Sequence, residues 1–498
     1  MQLKVRKQWI QILVLTVIGI VFYLCLGQEW ITLEDDSPSY MYPSGQQGVM
    51  PVYPLFLYIL KRVFGQNLYL DAAVVIQSIL AIICTIIFVL YLQKQFQFNF
   101  AEAILLYIAS MLPFSIYLPE SGITHYILTE GLSYALFYLY FIFLMQYIFE
   151  KKTKWLLCTM TMSVFMESTR SQLIFLMAIT AAAFIGVEFA KHKECNGIKK
   201  AAKTVLNIMI GAIGAIVMVM LVYKIYGFYL KYQMPVIEKY NQAEATAGTE
   251  SSNTTNSSTV KSGNQRSTSQ FTTLIVIRGV YEIDEGDIAL FDTVEMQEIF
   301  QRVFTAIDEK QYRYVYARQD LYMWKDLVID RISLVVSQEI NAYLEENPDV
   351  SLNVQQVRRE LGMKILLRHF DRYLYHSLRL MISSFIASVF FQIEKIYLLC
   401  HIITLLLFAI DIIGIIYCLK RSGRKKVAVF ALTTLVSIFL MVIIINLVFV
   451  GFQRYMVYAM GIFYCSLYLL AKEVLFTAAG LPDEGRTWLQ LWKKISKR

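Results

Sequence analysis

The sequence is poor in charge, in histidine and in every cysteine pattern that holds a metal. Only 17% of its residues are Asp, Glu, Lys or Arg, against 57% apolar, which excludes a water-soluble enzyme. There are five histidines and seven cysteines (Cys25, Cys84, Cys158, Cys195, Cys400, Cys418 and Cys465). No cysteine has metal-ligand spacing and the polar middle section contains none, so neither a zinc site nor a disulfide framework is expected. The glycine patterns of P-loops and dinucleotide folds are also missing. Basic residues outnumber acidic ones, 46 to 38, but they fall in short clusters between apolar runs, as loops on one side of a membrane require. Nucleic acid is discarded as a partner.

What the sequence has is long apolar runs, near residues 9–27, 70–92, 101–118, 125–149, 155–168, 170–189, 204–226, 395–419, 427–450 and 455–472. A helix crosses the hydrocarbon core with about 20 such residues. The first run lacks a small-residue cleavage site and reads as a retained helix rather than a signal peptide. Lys4, Arg6 and Lys7 before it place the N-terminus in the cytoplasm. Alternation then puts Lys94, Lys151 to Lys154, Lys191 to Lys203 and Lys420 to Lys426 on the same side, as the charge rule demands. The expected fold is an all-α polytopic protein of the cell membrane with about ten transmembrane helices and both termini cytoplasmic. The fifth and sixth runs share only about 35 residues, so two thin crossings and a re-entrant pair fit equally, and both deliver Arg170 to the outer side.

Four regions follow. Residues 1–226 form an N-terminal membrane module of about seven helices with a first outer loop at 28–69. Residues 227–394 are extracytoplasmic, 395–472 hold the last helices, and 473–498 form a basic cytoplasmic tail. The stretch from Trp488 to Arg498 suits an anionic leaflet and a soluble tail about equally. Val52 to Phe64 is apolar but too short to span, which predicts an interfacial helix. The Ser/Thr/Asn/Gly composition of 245–270 predicts a flexible loop. Helical spacing from Ile299 to Tyr375 predicts a helical outer domain inserted before the eighth helix. Ser377 to Gln392, interrupted by Arg379, reads as interfacial, since an eleventh span would put the Lys420 to Lys426 cluster outside.

This topology gathers few polar groups at the outer boundary: Asp35 and Asp36, Glu120 and His125, Thr129 and Glu130, Arg170, and Arg454 with Tyr455. A carboxylate there can take a proton from a hydroxyl, and a guanidinium can hold a phosphate through two hydrogen bonds. Each also has a plainer reading as solvated loop, helix-end ion pair or head-group contact.

The order Asp36-Ser37-Pro38-Ser39-Tyr40, Pro51-Val52-Tyr53-Pro54-Leu55-Phe56-Leu57, Leu128-Thr129-Glu130 and Arg454-Tyr455, all on one side, resembles the class C glycosyltransferases. The nearest branch is the protein O-mannosyltransferase and lipid A aminoarabinose transferase superfamily. The likeness is strongest over 9–190 and 427–472. It implies an inverting transferase that moves a sugar from a polyprenyl-phosphate carrier to an acceptor outside the cytoplasm, be it glycan, lipid or protein. By resemblance the base is Asp36, four residues before Tyr40, rather than Asp35. Arg454 matches the position facing the carrier phosphate, Arg170 a basic residue at the outer end of an earlier helix, and Glu130 an acidic position of unassigned role. Asp35, Tyr40, Glu130, Arg170, Arg454 and Tyr455 are thus the expected substrate-binding residues. Ser37 departs from the glutamate common there in the closest relatives, and 227–394 matches no family domain. The lipid-linked donor is the one cofactor-like group implied; a monophosphate carrier does not require a divalent metal and does not exclude one. Rival readings are a lipid-linked sugar flippase or transporter, for which Asp411 is the one clear charge deep in a span, a polysaccharide polymerase or ligase using a diphosphate carrier, and a non-catalytic receptor.

Overall fold

The computed structural model describes residues 2–25, 29–34, 36–43, 49–115, 122–191, 198–240, 270–316, 329–390, 396–421, 424–448, 453–479 and 490. The N-terminal helices are α1 (Gln2–Cys25), α2 (Ser37–Met41), α3 (Val52–Phe64), α4 (Tyr69–Phe96), α5 (Phe100–Met111), α6 (Thr129–Glu150), α7 (Thr153–Glu167), α8 (Phe175–Lys191) and α9 (Ile198–Phe228). A π-turn at Tyr229–Gln233 carries α9 into α10, residues 234–240. The inserted unit comprises α11 (Gln270–Tyr281), α12 (Val294–Glu309), α13 (Ile329–Glu346), α14 (Val354–Arg368) and α15 (Phe370–Val389). The chain closes with α16 (Tyr397–Leu419), α17 (Lys425–Val448), the short α18 (Gln453–Met456) and α19 (Met460–Ala478).

Among the described residues, eight helical stretches are long and apolar enough to cross a membrane: α1, α4, α6, α8 with its leading turn, α9 with α10, α16, α17 and α19. Their outward faces expose residues such as Leu13, Ile79, Ile213, Leu405 and Ile413, which hydrocarbon accepts and water does not. The chain is a multi-pass helical membrane protein. Tight reversals link the early helices because Gln97 and Lys151 take left-handed conformations (φ 55° and 56°) that stop α4 and α6. α5 then starts on a capping box: Asn99 Oδ1 accepts from the Glu102 N–H (2.9 Å), and Glu102 Oε2 from that of Asn99 (2.8 Å).

α6 is buried on nearly every side, packing against α4, α7 and α8, with Phe141 meeting Phe430 of α17 edge-on. α1 and α9 are peripheral, with broad exposed apolar faces. At one end of the bundle Lys472 pairs with Glu102 (2.5 Å) and Arg424 with Glu473 (3.2 Å). At the other end α6 begins, α7 ends, and the loop after α1 meets the turn before α19.

Four boundaries differ from the sequence reading. The seventh run continues as helix to residue 240. Arg454 and Tyr455 do not open the last long helix; they lie on α18, and α19 starts only at Met460. The inserted unit begins earlier than Ile299, because α11 forms its centre. α11 crosses α14 at Gly279 and Gly362, where a Cβ on Gly362 would sit 2.9 Å from Ile275 O. Around that crossing Val276, Val280, Ile299, Phe300, Ile332, Val336, Leu361 and Ile365 form a core separate from that of the bundle. Ser377 onward belongs to α15, which lies against α16, α17 and α18. Asp35, Glu120, Cys195, the 245–270 loop up to Gln270, and the tail from 480 apart from Gln490 lie outside the described residues.

Candidate functional site

The loop after α1 is fixed in two places. Thr32 forms a short parallel bridge with the strand-like stretch before α6: Thr32 N–H donates to His125 O (3.0 Å) and Ile127 N–H to Thr32 O (3.1 Å). Ser37, fully buried, closes a turn by accepting the Glu34 N–H on its hydroxyl (2.9 Å) and donating its own N–H to Glu34 O (2.9 Å). The serine that replaces the expected acid therefore has a structural task. Asp36 stands at the start of α2, but its carboxylate makes no cap bond. It turns to Arg454 instead, whose Nη2 donates to Asp36 Oδ2 at 2.8 Å.

Glu130 occupies the first turn of α6, where a carboxylate suits the helix dipole. It has no exposed surface and touches both arginines: Oε2 pairs with Arg170 Nη1, and Oε1 lies 3.4 Å from Arg454 Nε. Thr129 Oγ1 donates to Glu130 Oε2 (3.0 Å) and accepts from Arg170 Nη1 (2.7 Å); Arg170 Nε donates to Gln172 Oε1 (2.8 Å). Arg170 reaches this position because the chain breaks from helix into extended backbone between α7 and the turn Ser171–Ile174. The Tyr455 ring lies against both guanidiniums, at 4.4 Å from that of Arg170 and 5.2 Å from that of Arg454. Arg454 also donates from Nη2 to the Tyr455 hydroxyl (3.2 Å), and its carbonyl accepts from Tyr134.

Side-chain exposure rises from 0% at Glu130 and 5% at Arg170 to 18% at Arg454 and 46% at Asp36. The Asp36–Arg454 pair is therefore the mouth of the cluster and the Glu130–Arg170 pair its floor. Tyr40 faces the same charges. Burial pushes its phenol well above the ordinary range; Arg170 pulls it back, and Glu130, Asp36 and Tyr455 push it further, so it stays a hydrogen-bond donor.

Of the expected site residues, the structure brings Asp36, Tyr40, Glu130, Arg170, Arg454 and Tyr455 together. His125 stands apart, packed on Trp30 (ring centroids 5.3 Å) with Nδ1 at 3.3 Å from Glu29 O. Several residues outside the expected site set support the cluster. Ser133 and Tyr458 share a hydrogen bond (2.8 Å), and Tyr134 meets the Tyr458 ring edge-on at 4.6 Å. Beneath Tyr40, the Tyr53 hydroxyl donates to Gln77 Oε1 (2.8 Å), and Gln77 Nε2 donates to Thr124 O (2.9 Å). Gly131 leaves room for that amide, since a Cβ there would lie 2.8 Å from Gln77 Cδ. The lone amide within an apolar span was the one available hint. Among the described residues no group of three His, Cys, Asp or Glu side chains is arranged to hold a metal. No protein-family model, curated protein or solved structure matches the chain.

Proposed function

We propose that this chain is an inverting glycosyltransferase that takes a sugar from a polyprenyl-phosphate carrier, with Asp36 as the base and Arg454 as the phosphate holder. The observation that carries the reading is the 2.8 Å contact between them, which joins the loop after the first helix to the turn before the last. The resemblance to class C transferases supports it. In this reading α5 and α7 add two crossings to the eight longer ones. Lys94, Lys151, Lys152, Lys191 and Arg424 lie at or beyond helix ends opposite the cluster, which supports a cytoplasmic face there and an outer face for the site.

The acceptor hydroxyl oxygen attacks the anomeric carbon from the side opposite the phosphate, and its proton passes to Asp36. The C–O bond to the carrier breaks as the new one forms, the electron pair leaves on the phosphate oxygen, and Arg454 offsets the growing charge. Tyr40 supplies a hydrogen bond from the wall. Arg454 Nη2 is already engaged by Asp36, so a phosphate that takes Arg454 frees the carboxylate for the acceptor. The donor thus prepares its own base.

Charge counting favours a monophosphate. Glu130 and Asp36 already balance Arg170 and Arg454, so the cluster has no surplus positive charge and accommodates the single charge of a phosphodiester more readily than the greater charge of a diphosphate. A polymerase or ligase is less well served. The transporter reading draws on Asp411, fully buried in α16 with Ser466 Oγ donating to Oδ1 (2.9 Å).

Proteoliposomes loaded with a polyprenyl-phosphate hexose and cell-envelope acceptor separate these readings. Release of polyprenyl phosphate with sugar on the acceptor, insensitive to Asp411→Asn, is the result expected. Movement of intact donor between leaflets without cleavage, lost in Asp411→Asn, contradicts the proposal.

A further inference from the structure

The last described turn of α17 precedes Arg454 closely in the sequence, and it is held from outside the bundle. Here Arg278 Nη2 donates to Asn446 O (2.7 Å), and the Tyr373 hydroxyl donates to Leu447 O. The Asn446 side chain is fixed as well, its Nδ2 donating to Val442 O (2.7 Å) and its Oδ1 accepting from Ser384 Oγ (3.1 Å). All three outside groups belong to the inserted unit: Arg278 to α11, Tyr373 and Ser384 to α15.

The chemistry suits a grip on backbone carbonyls. Arg278 is almost wholly buried and brings a full positive charge to the negative end of a helix dipole, with the Tyr373 ring 5.6 Å from the guanidinium. Glu282, on the same unit, adds a nearby negative charge. α15 also packs against α18, the turn that carries Arg454. The inserted unit therefore touches the chain on both sides of the 449–452 link. It holds the last described turn of α17 and braces α18.

We propose that Arg278 is a positioning residue for Arg454, and that residues 270–389 are part of the scaffold of the site. By gripping the last described turn of α17, Arg278 fixes the level at which Arg454 meets Asp36 and Glu130. Whatever moves the inserted unit moves Arg454. The positioning claim stands on the contacts alone; its consequence for phosphate binding rests on the transferase reading.

Two measurements on the full chain in lipid nanodiscs test it. The first is hydrogen exchange of the 453–459 backbone in Arg278→Met, with α4 as reference. Exchange is expected to rise at 453–459 and stay unchanged in α4, while Arg278→Lys, which keeps a charged donor, restores most of the protection. The second is binding of undecaprenyl phosphate by wild type, Arg278→Met, Arg454→Gln and the double variant. Arg278→Met should weaken binding about tenfold in the wild-type background, the scale of one hydrogen bond to a charged group, and add nothing once Arg454 is gone.

Unchanged exchange at 453–459, or equal losses in both backgrounds, overturns the inference. If the wild type does not bind the probe, the transferase reading fails, and the exchange experiment alone decides the positioning claim. If Arg278→Met does not fold, Ser384→Ala removes one hydrogen bond from the same joint. It should then shift 453–459 in the same direction by less, and no shift overturns the inference.

Discussion

Glu130 and Asp36 are both partners of Arg454, yet substitutions at the two should behave in opposite ways. Glu130 is fully buried between two guanidiniums, so Glu130→Gln leaves buried positive charge uncompensated, at a cost of about 3–5 kcal/mol. Its thermal midpoint should fall sharply even without substrate. Asp36 is half exposed, and losing its ion pair costs about 0–1 kcal/mol. Asp36→Asn should melt like the wild type while transfer drops about 10²- to 10⁴-fold, the usual worth of a general base. A large stability loss in Asp36→Asn would mean that its role is structural. Asp36, Glu130, Arg170 and Arg454 were legible because charge is scarce in this sequence and the topology put these few groups on one side. Tyr134 and Tyr458 were not legible, since among 33 tyrosines nothing local separates a site-lining ring from a core one.

The elements show the same division between strong local signals and tertiary choices. α3 runs over the stretch that the sequence marked, because a short apolar run with basic residues in its last turn has few other solutions. The break between α18 and α19 carries no glycine or proline; it is set by Tyr134 taking the Arg454 carbonyl and by both arginines packing on Tyr455. α11 escapes the sequence reading because it lacks the one-sided spacing of a surface helix, its residues 275–281 being buried on every side.

Within the inserted unit, burial raises the Asp284 carboxyl, but Arg372 (2.6 Å) and Arg313 (2.8 Å) outweigh it and hold it below the usual range. A carboxyl depressed in the folded chain adds stability above its unfolded pKa, and that stability is lost as pH falls through the folded value. The melting midpoint of the unit should therefore fall on acidification below about pH 4. Asp284→Asn should flatten that fall, and an unaltered acid profile would contradict the assignment. At the tight crossing, Gly362→Val should force α11 and α14 apart at a cost of about 1–3 kcal/mol, read as a lower midpoint.

At the scale of the molecule, eight long spans enclose a tyrosine-rich centre built on α6, and one end of that bundle carries all the charge pairs of the site. Composition alone foretold the membrane class, since apolar runs of this length leave a chain few other homes. It did not foretell that the inserted unit grips the last described turn of α17, a joint made largely of backbone carbonyls that any sequence possesses. In the proposed reading the loop after α1 and the turn before α19 form a single reacting centre. Its most direct test is transfer from a labelled polyprenyl-phosphate hexose to envelope acceptor by purified wild type, Asp36→Asn and Arg454→Gln, all shown to melt alike. The account predicts turnover by the wild type and its loss in both variants; Asp36→Asn transferring at the wild-type rate would contradict it.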